Sequence, residues 1–135
     1  AENIVRVTVP QLVGIEGAGR GGDVYFHRKA KNQLLGFWAE LENRNLLKDV
    51  LSYAGDWVPR FVRGKANQQV LSNHAFGTAF DVNPEWNPLG AEPATSGKKG
   101  CVYGLVPIAH QFGFYWGGHF TRRDGMDFEI AELKA

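Results

Sequence analysis

The chain has 135 residues, 44% of them hydrophobic and 21% charged, which suits one compact domain with a core of its own. A formal net charge of +1 is too small to point to nucleic acid, and no apolar run approaches the roughly 20 residues of a membrane span. The single cysteine, Cys101, excludes an internal disulfide and a thiolate metal cluster, and it reads as a small, at least half-buried filler.

In chain order, Ile4, Val5, Val7 and Val9 alternate up to Pro10, which predicts a short edge strand or an extended arm. Residues 14–22 are glycine-rich and read as a loop. Between residues 25 and 44 the apolar Ala30, Leu34, Phe37, Trp38 and Leu41 recur at spacings of three and four, one face of an amphipathic helix. Residues 47–53 and 57–62 read as two strands of a hairpin around Ala54-Gly55-Asp56, followed by a polar loop over 65–70. A third strand is expected at 79–82, with Asp81 at its heart. Residues 83–99 carry Pro84, Pro88 and Pro93 and read as a long surface loop, a type that often serves function. Residues 102–112 predict a short helix closed by Gly113, and 114–116 and 126–130 complete the sheet. The expected fold class is α+β: one domain over residues 1–135, monomeric, with a small, mainly antiparallel sheet and flanking helices.

Two clusters carry the residue types of metal chemistry. The run 72–81 holds His74 and Asp81, with Gly77 and Ala79 between them. An imidazole and a carboxylate are both zinc ligands, and an aspartate inside an apolar strand must be paired, hydrogen-bonded or metal-bound. The second cluster is Asp124-Gly125-Met126-Asp127-Phe128-Glu129. Its two aspartates fit either a turn before an exposed strand, or a metal ligand plus a general base. Arg60 and Arg63 are surface charges or anchors for a substrate carboxylate or oxyanion. Trp116-Gly117-Gly118-His119-Phe120 is an aromatic turn, serving the core or a substrate wall. His119 and His110 stay open as alternative third ligands, while His27 reads as a surface residue.

The pattern Ser-x-His-x-x-Gly-x-Ala-x-Asp, followed about 45 residues later by a Trp-Gly-Gly turn and an acidic residue three positions before the last ligand, resembles the zinc D-Ala-D-Ala metallopeptidases. That family includes vancomycin-resistance-type D,D-carboxypeptidases and phage L-alanyl-D-glutamate endolysins, on a fold shared with hedgehog-type domains. The likeness spans roughly residues 57–130, and the runs 71–83 and 113–120 are similar to the carboxypeptidase-type branch. The resemblance implies one Zn²⁺ held by His74, Asp81 and residue 127, with Asp124 as general base. It implies Arg63, or failing that Arg60, as the oxyanion or carboxylate anchor, Ser72 beside the ligands, and Trp116 and His119 along the substrate groove, with the loop 83–99 shaping it. It implies peptides of bacterial peptidoglycan as substrates, and a place in the cell envelope, outside the cell, or in phage lysis. The departure is Asp127, which stands where the family pattern has histidine. It predicts weakened metal binding and turnover, and it raises the rival reading of a degenerate domain that binds cell-wall peptides, or plays a structural part, without cutting. A metal-binding signalling domain on the same fold is a third reading.

Overall fold

The alternation predicted at the N-terminus forms a strand, β1 (Ile4–Thr8), with Val7 buried. In the computed structural model, which describes residues 3–55 and 73–134, β1 pairs antiparallel with β2 (Asp23–His27), Ile4 opposite His27 and Thr8 opposite Asp23. β2 corrects the expected start of the helix. Val24 and Phe26 point inward and are fully buried while Tyr25 between them is 44% exposed, a period of two that belongs to a strand. A short 3-10 turn, Arg28–Ala30, then leads into α1 (Lys31–Asn43). The predicted apolar stripe is correct from there on: Leu34, Phe37, Trp38 and Leu41 are all fully buried.

The hairpin expected after α1 is also corrected on its first arm. Residues 47–49 form a 3-10 turn, and β3 is only Tyr53–Ala54. The Asn83 side-chain oxygen takes the Leu51 and Ser52 N–H groups at 2.8 and 3.1 Å, so these donors need no strand neighbour. Among the described residues the partner of β3 is β4 (Ala79–Val82), with Tyr53 opposite Val82; residues 57–62 lie outside them. The chain then runs through the long loop, as predicted, to α2 (Val106–Gln111), which ends before Gly113 (φ 83°). β5 (Phe114–Trp116) and β6 (Asp127–Ile130) follow.

These strands form an antiparallel sheet in the order β3-β4-β6-β5, so the expected α+β class stands. One face is the core. Tyr53, Phe80 and Phe128 lie in adjacent strands and stack, with centroids 5.8 and 5.6 Å apart and planes within 15°. Phe37 and Trp38 of α1 close over Phe80 at 5.8 Å each. Gln33, buried among these apolar side chains, donates to the carbonyls of Phe112 and Glu132 at 2.8 Å and ties α1 to both ends of the last elements. No described helix is long and apolar enough to cross a membrane.

Candidate metal centre

The strand period that sends Phe80 and Phe128 into the core sends Asp81 and Asp127 to the opposite face. Register does the rest: Asp81 and Asp127 are direct cross-strand partners on β4 and β6. Directly opposed side chains have Cβ atoms about 4.5–5.5 Å apart, so two carboxylates here meet head to head. Like charges in that position repel, and both residues are buried, at 5% and 2% exposure.

His74 arrives from a separate segment. It sits in the 3-10 turn Asn73–Phe76, which Gly77 closes by donating its N–H to the His74 carbonyl at 3.1 Å. Gly77 has φ +68°, and a Cβ there would press on the Ile4 side chain at 3.1 Å and the His27 nitrogen at 3.2 Å. The Gly77 carbonyl accepts the His27 N–H at 2.7 Å, so the β1–β2 ribbon holds the turn against the sheet. His74 Nε2 then lies 3.2 Å from Asp81 Oδ1 and 3.1 Å from Asp127 Oδ1.

The three ligand-type atoms fall within 4.8 Å of one another. A tetrahedral ion with ligands near 2.0 Å sets neighbouring donor atoms about 3.3 Å apart, close to the spacings His74 makes here. Nitrogen and oxygen donors of this kind suit a divalent cation of the zinc class. The electrostatics point the same way. Burial pushes the Asp127 carboxyl up to about 9; the His74 hydrogen bond opposes the rise, and the nearby Glu129 and Asp81 carboxyls add to it. A bound dication would replace the lost hydration and reverse this trend. The donor set therefore fits a metal ion, and Asp127, though shorter than histidine, reaches the same point.

Asp124 is brought beside this face by a tight turn. Its carbonyl accepts the Asp127 N–H at 3.0 Å, and its own N–H reaches the Gly117 carbonyl at 2.9 Å. A Cβ on Gly117 would stand 2.2 Å from the Asp124 carbonyl oxygen, so the Trp-Gly-Gly turn has to be glycine for the acidic turn to cross it. The Asp124 side chain is half-buried.

The other candidates fall elsewhere. Trp116 pairs with Phe128 on the core side, is buried, and donates its indole N–H to the Gly125 carbonyl at 2.8 Å. It braces the acidic turn from behind. His119 is exposed and meets the Trp116 ring edge-to-face and the His110 ring at a tilt, with centroids 5.1 and 5.9 Å away; neither histidine is part of the triad. His27 turns its Nδ1 to the Lys29 N–H at 3.1 Å. Arg60, Arg63 and Ser72 lie outside the described residues. Glu129 had no assigned role, yet it stands two residues from Asp127 on the same strand and hydrogen-bonds to it. The two-residue strand period is the signal that would have found it.

Residues 65–130 match the family model described as D-alanyl-D-alanine carboxypeptidase. The matched segment is similar to that family. The matched segment contains His74, Asp81, Asp124 and Asp127, so the D-alanyl-D-alanine carboxypeptidase signature and the buried triad coincide. The family is one of metal-dependent peptidases acting on D-Ala-D-Ala peptides. No curated protein and no solved structure matches the chain.

Proposed function

We propose that this chain is a zinc-dependent hydrolase of peptidoglycan stem peptides, cutting a D-Ala-D-Ala or L-Ala-D-Glu bond, with a metal centre weakened by Asp127. The observation that carries this reading is the convergence of His74 Nε2, Asp81 Oδ1 and Asp127 Oδ1 in one buried spot. A zinc ion held by these three residues would supply Lewis acidity and an acidified water. Asp124, whose backbone caps the Asp127 turn, takes a proton from the attacking water and hands it to the leaving amine. Arg63, as the family resemblance implies, steadies the tetrahedral oxyanion. Asp81 and Asp127 bring two negative charges to the ion, where a site with a second neutral histidine brings one. That extra charge would offset more of the ion's field, so a water it held would be less acidic than the pKa of about 7 of catalytic zinc sites. The chain acts as a monomer on cell-wall peptides, in the cell envelope or at lysis.

The doubled carboxylate also favours a second reading, a degenerate domain that binds cell-wall peptide without cutting it. One experiment separates the two. Purified chain is incubated with peptidoglycan, with and without added zinc, and both released amines and bound zinc are measured. Zinc-dependent release supports the hydrolase; zinc uptake or peptide binding with no release supports the binding domain. Absence of zinc binding at any pH sinks the metal centre.

A further inference from the structure

An open surface cavity of ≈ 610 Å³, of mixed polar and apolar lining, is formed by residues of the 48–51 and 96–104 segments, with Lys48, Lys98 and Lys99 exposed on it, and it shares no lining residue with the triad. That volume falls within the range of about 300–1,000 Å³ typical of small-molecule sites. Its charge is one-sided: Lys48, Lys98 and Lys99 line it against one carboxylate, Asp49. The chain as a whole carries a net charge of only +1, so positive charge is concentrated here. No described carboxylate lies within ion-pair distance of these three ammonium groups. Lys48 Nζ donates to the Asn45 carbonyl at 3.1 Å, and Lys99 Nζ sits 5.3 Å over the Trp86 ring, so both are steered without being neutralised.

The wall that carries Lys98 and Lys99 is anchored from beneath. The buried Asn83 and Asn87 side chains both donate to the Gly100 carbonyl, at 3.2 and 2.9 Å, and Asn83 also donates to the Asp49 carbonyl at 2.7 Å. One amide thus ties the two walls of the cavity to each other. Backbone turns from Lys98 to Thr95 and from Cys101 to Lys98 fix the rest. A preorganised wall spares a ligand the ordering cost of binding.

We infer that this cavity is a binding site for a phosphate-bearing anion of small-molecule size, free or as the repeating unit of a polymer. Three ammonium groups against one carboxylate leave a surplus of positive charge, which favours a phosphate of about −1.5 to −2 over a singly charged carboxylate, and lysine binds phosphate as a point charge. The hydroxyls of Ser96 and Tyr103 on the same lining add neutral hydrogen-bond partners. This inference is independent of the zinc reading, because no triad residue takes part.

Cys101 also lines this cavity and is the chain's only cysteine, which makes it a built-in reporter. Its alkylation by uncharged iodoacetamide is followed at matched ionic strength with inorganic phosphate, pyrophosphate, glycerol 3-phosphate or acetate. The phosphate probes are expected to slow the reaction saturably, and acetate is expected not to. In the Lys48→Gln/Lys98→Gln double variant, the half-protecting pyrophosphate concentration is expected to rise at least about tenfold, or 1.4 kcal/mol. Circular dichroism checks the fold of that variant. In the unmodified chain, protection is expected to weaken as sodium chloride is raised, which tests the charge dependence without any substitution. Protection by glycerol 3-phosphate as strong as by pyrophosphate points to an organic phosphate monoester; protection by the inorganic probes alone points to free phosphate. An alkylation rate indifferent to every phosphate probe, equal protection by acetate, or protection unchanged in the folded double variant would each overturn the site.

Discussion

The two faces of the four-stranded sheet are made by the same strands and could hardly differ more. On β4, Phe80 and Asp81 are neighbours in sequence; on β6, Phe128 follows Asp127. One residue of each pair joins a dry aromatic stack under α1, and the other joins a cluster of buried carboxylates around His74. The first face stabilises the fold at the scale of hydrophobic burial. The second opposes it, because anions that lose water without a cation must protonate or be paired. The contrast teaches that the metal face is held in place by the aromatic face behind it.

The largest effect expected on the metal face is chemical. Asp124→Asn should lower peptide hydrolysis by about 10²–10⁴-fold, the usual contribution of a general base, while zinc content stays unchanged. Full activity in that variant would remove Asp124 from the mechanism. On the aromatic face, Phe80→Ala should cost about 3–5 kcal/mol of folding stability in denaturant melts, through the lost ring and the cavity left behind. A loss well under that range would mean that the aromatic stack is not what supports the site.

Asp127→His is a smaller change. It should tighten zinc binding and raise turnover by about tenfold or more, the scale on which alterations around a metal site act. Zinc titration of the two proteins checks it, and equal affinity with equal rate would refute the charge argument for Asp127. The smallest effect is the pH dependence of the metal-free protein. The folded pKa of Asp127, about 9, lies above the ordinary aspartate value of 3.8, so the fold binds a proton that the unfolded chain has released. The stability this lends is fully present below about pH 4 and is lost progressively as pH rises toward 9. Denaturant melts across that window should slope downward, Asp127→Asn should flatten the slope, and added zinc should oppose it. A flat profile for the metal-free, unmodified chain would show that Asp127 is not held protonated by the fold.

Much of this was legible in the sequence. The α1 stripe, the strand around Asp81, the loop after it and the Gly113 stop follow local rules of period and turn chemistry, and the structure contains them all. The pattern around His74 and Asp127 was specific enough to name the ligand candidates. Other elements were not legible, for identifiable reasons. β2 is hidden beside the helical pattern because its two-residue alternation has only two inward residues, Val24 and Phe26, before the α1 stripe begins. β3 is short because Asn83, 32 and 31 residues further along the chain, takes the donors of Leu51 and Ser52, a contact that no local pattern announces. Trp116 read equally well as a groove wall or a core residue, and only strand pairing put it behind the site.

The sequence by itself determined which residues could bind a metal and which family the chain resembles, because ligand chemistry and motif spacing are written in residue types. Only the tertiary structure decided that Asp127 reaches the histidine at all. That outcome depends on the register of β4 against β6, which sets Asp81 opposite Asp127, and on Gly77 letting the His74 turn dock against the β1–β2 ribbon. Register is a long-range property: a slip of β6 by one residue against β4 would have turned Asp127 into the core and Phe128 out to the face of His74 and Asp81.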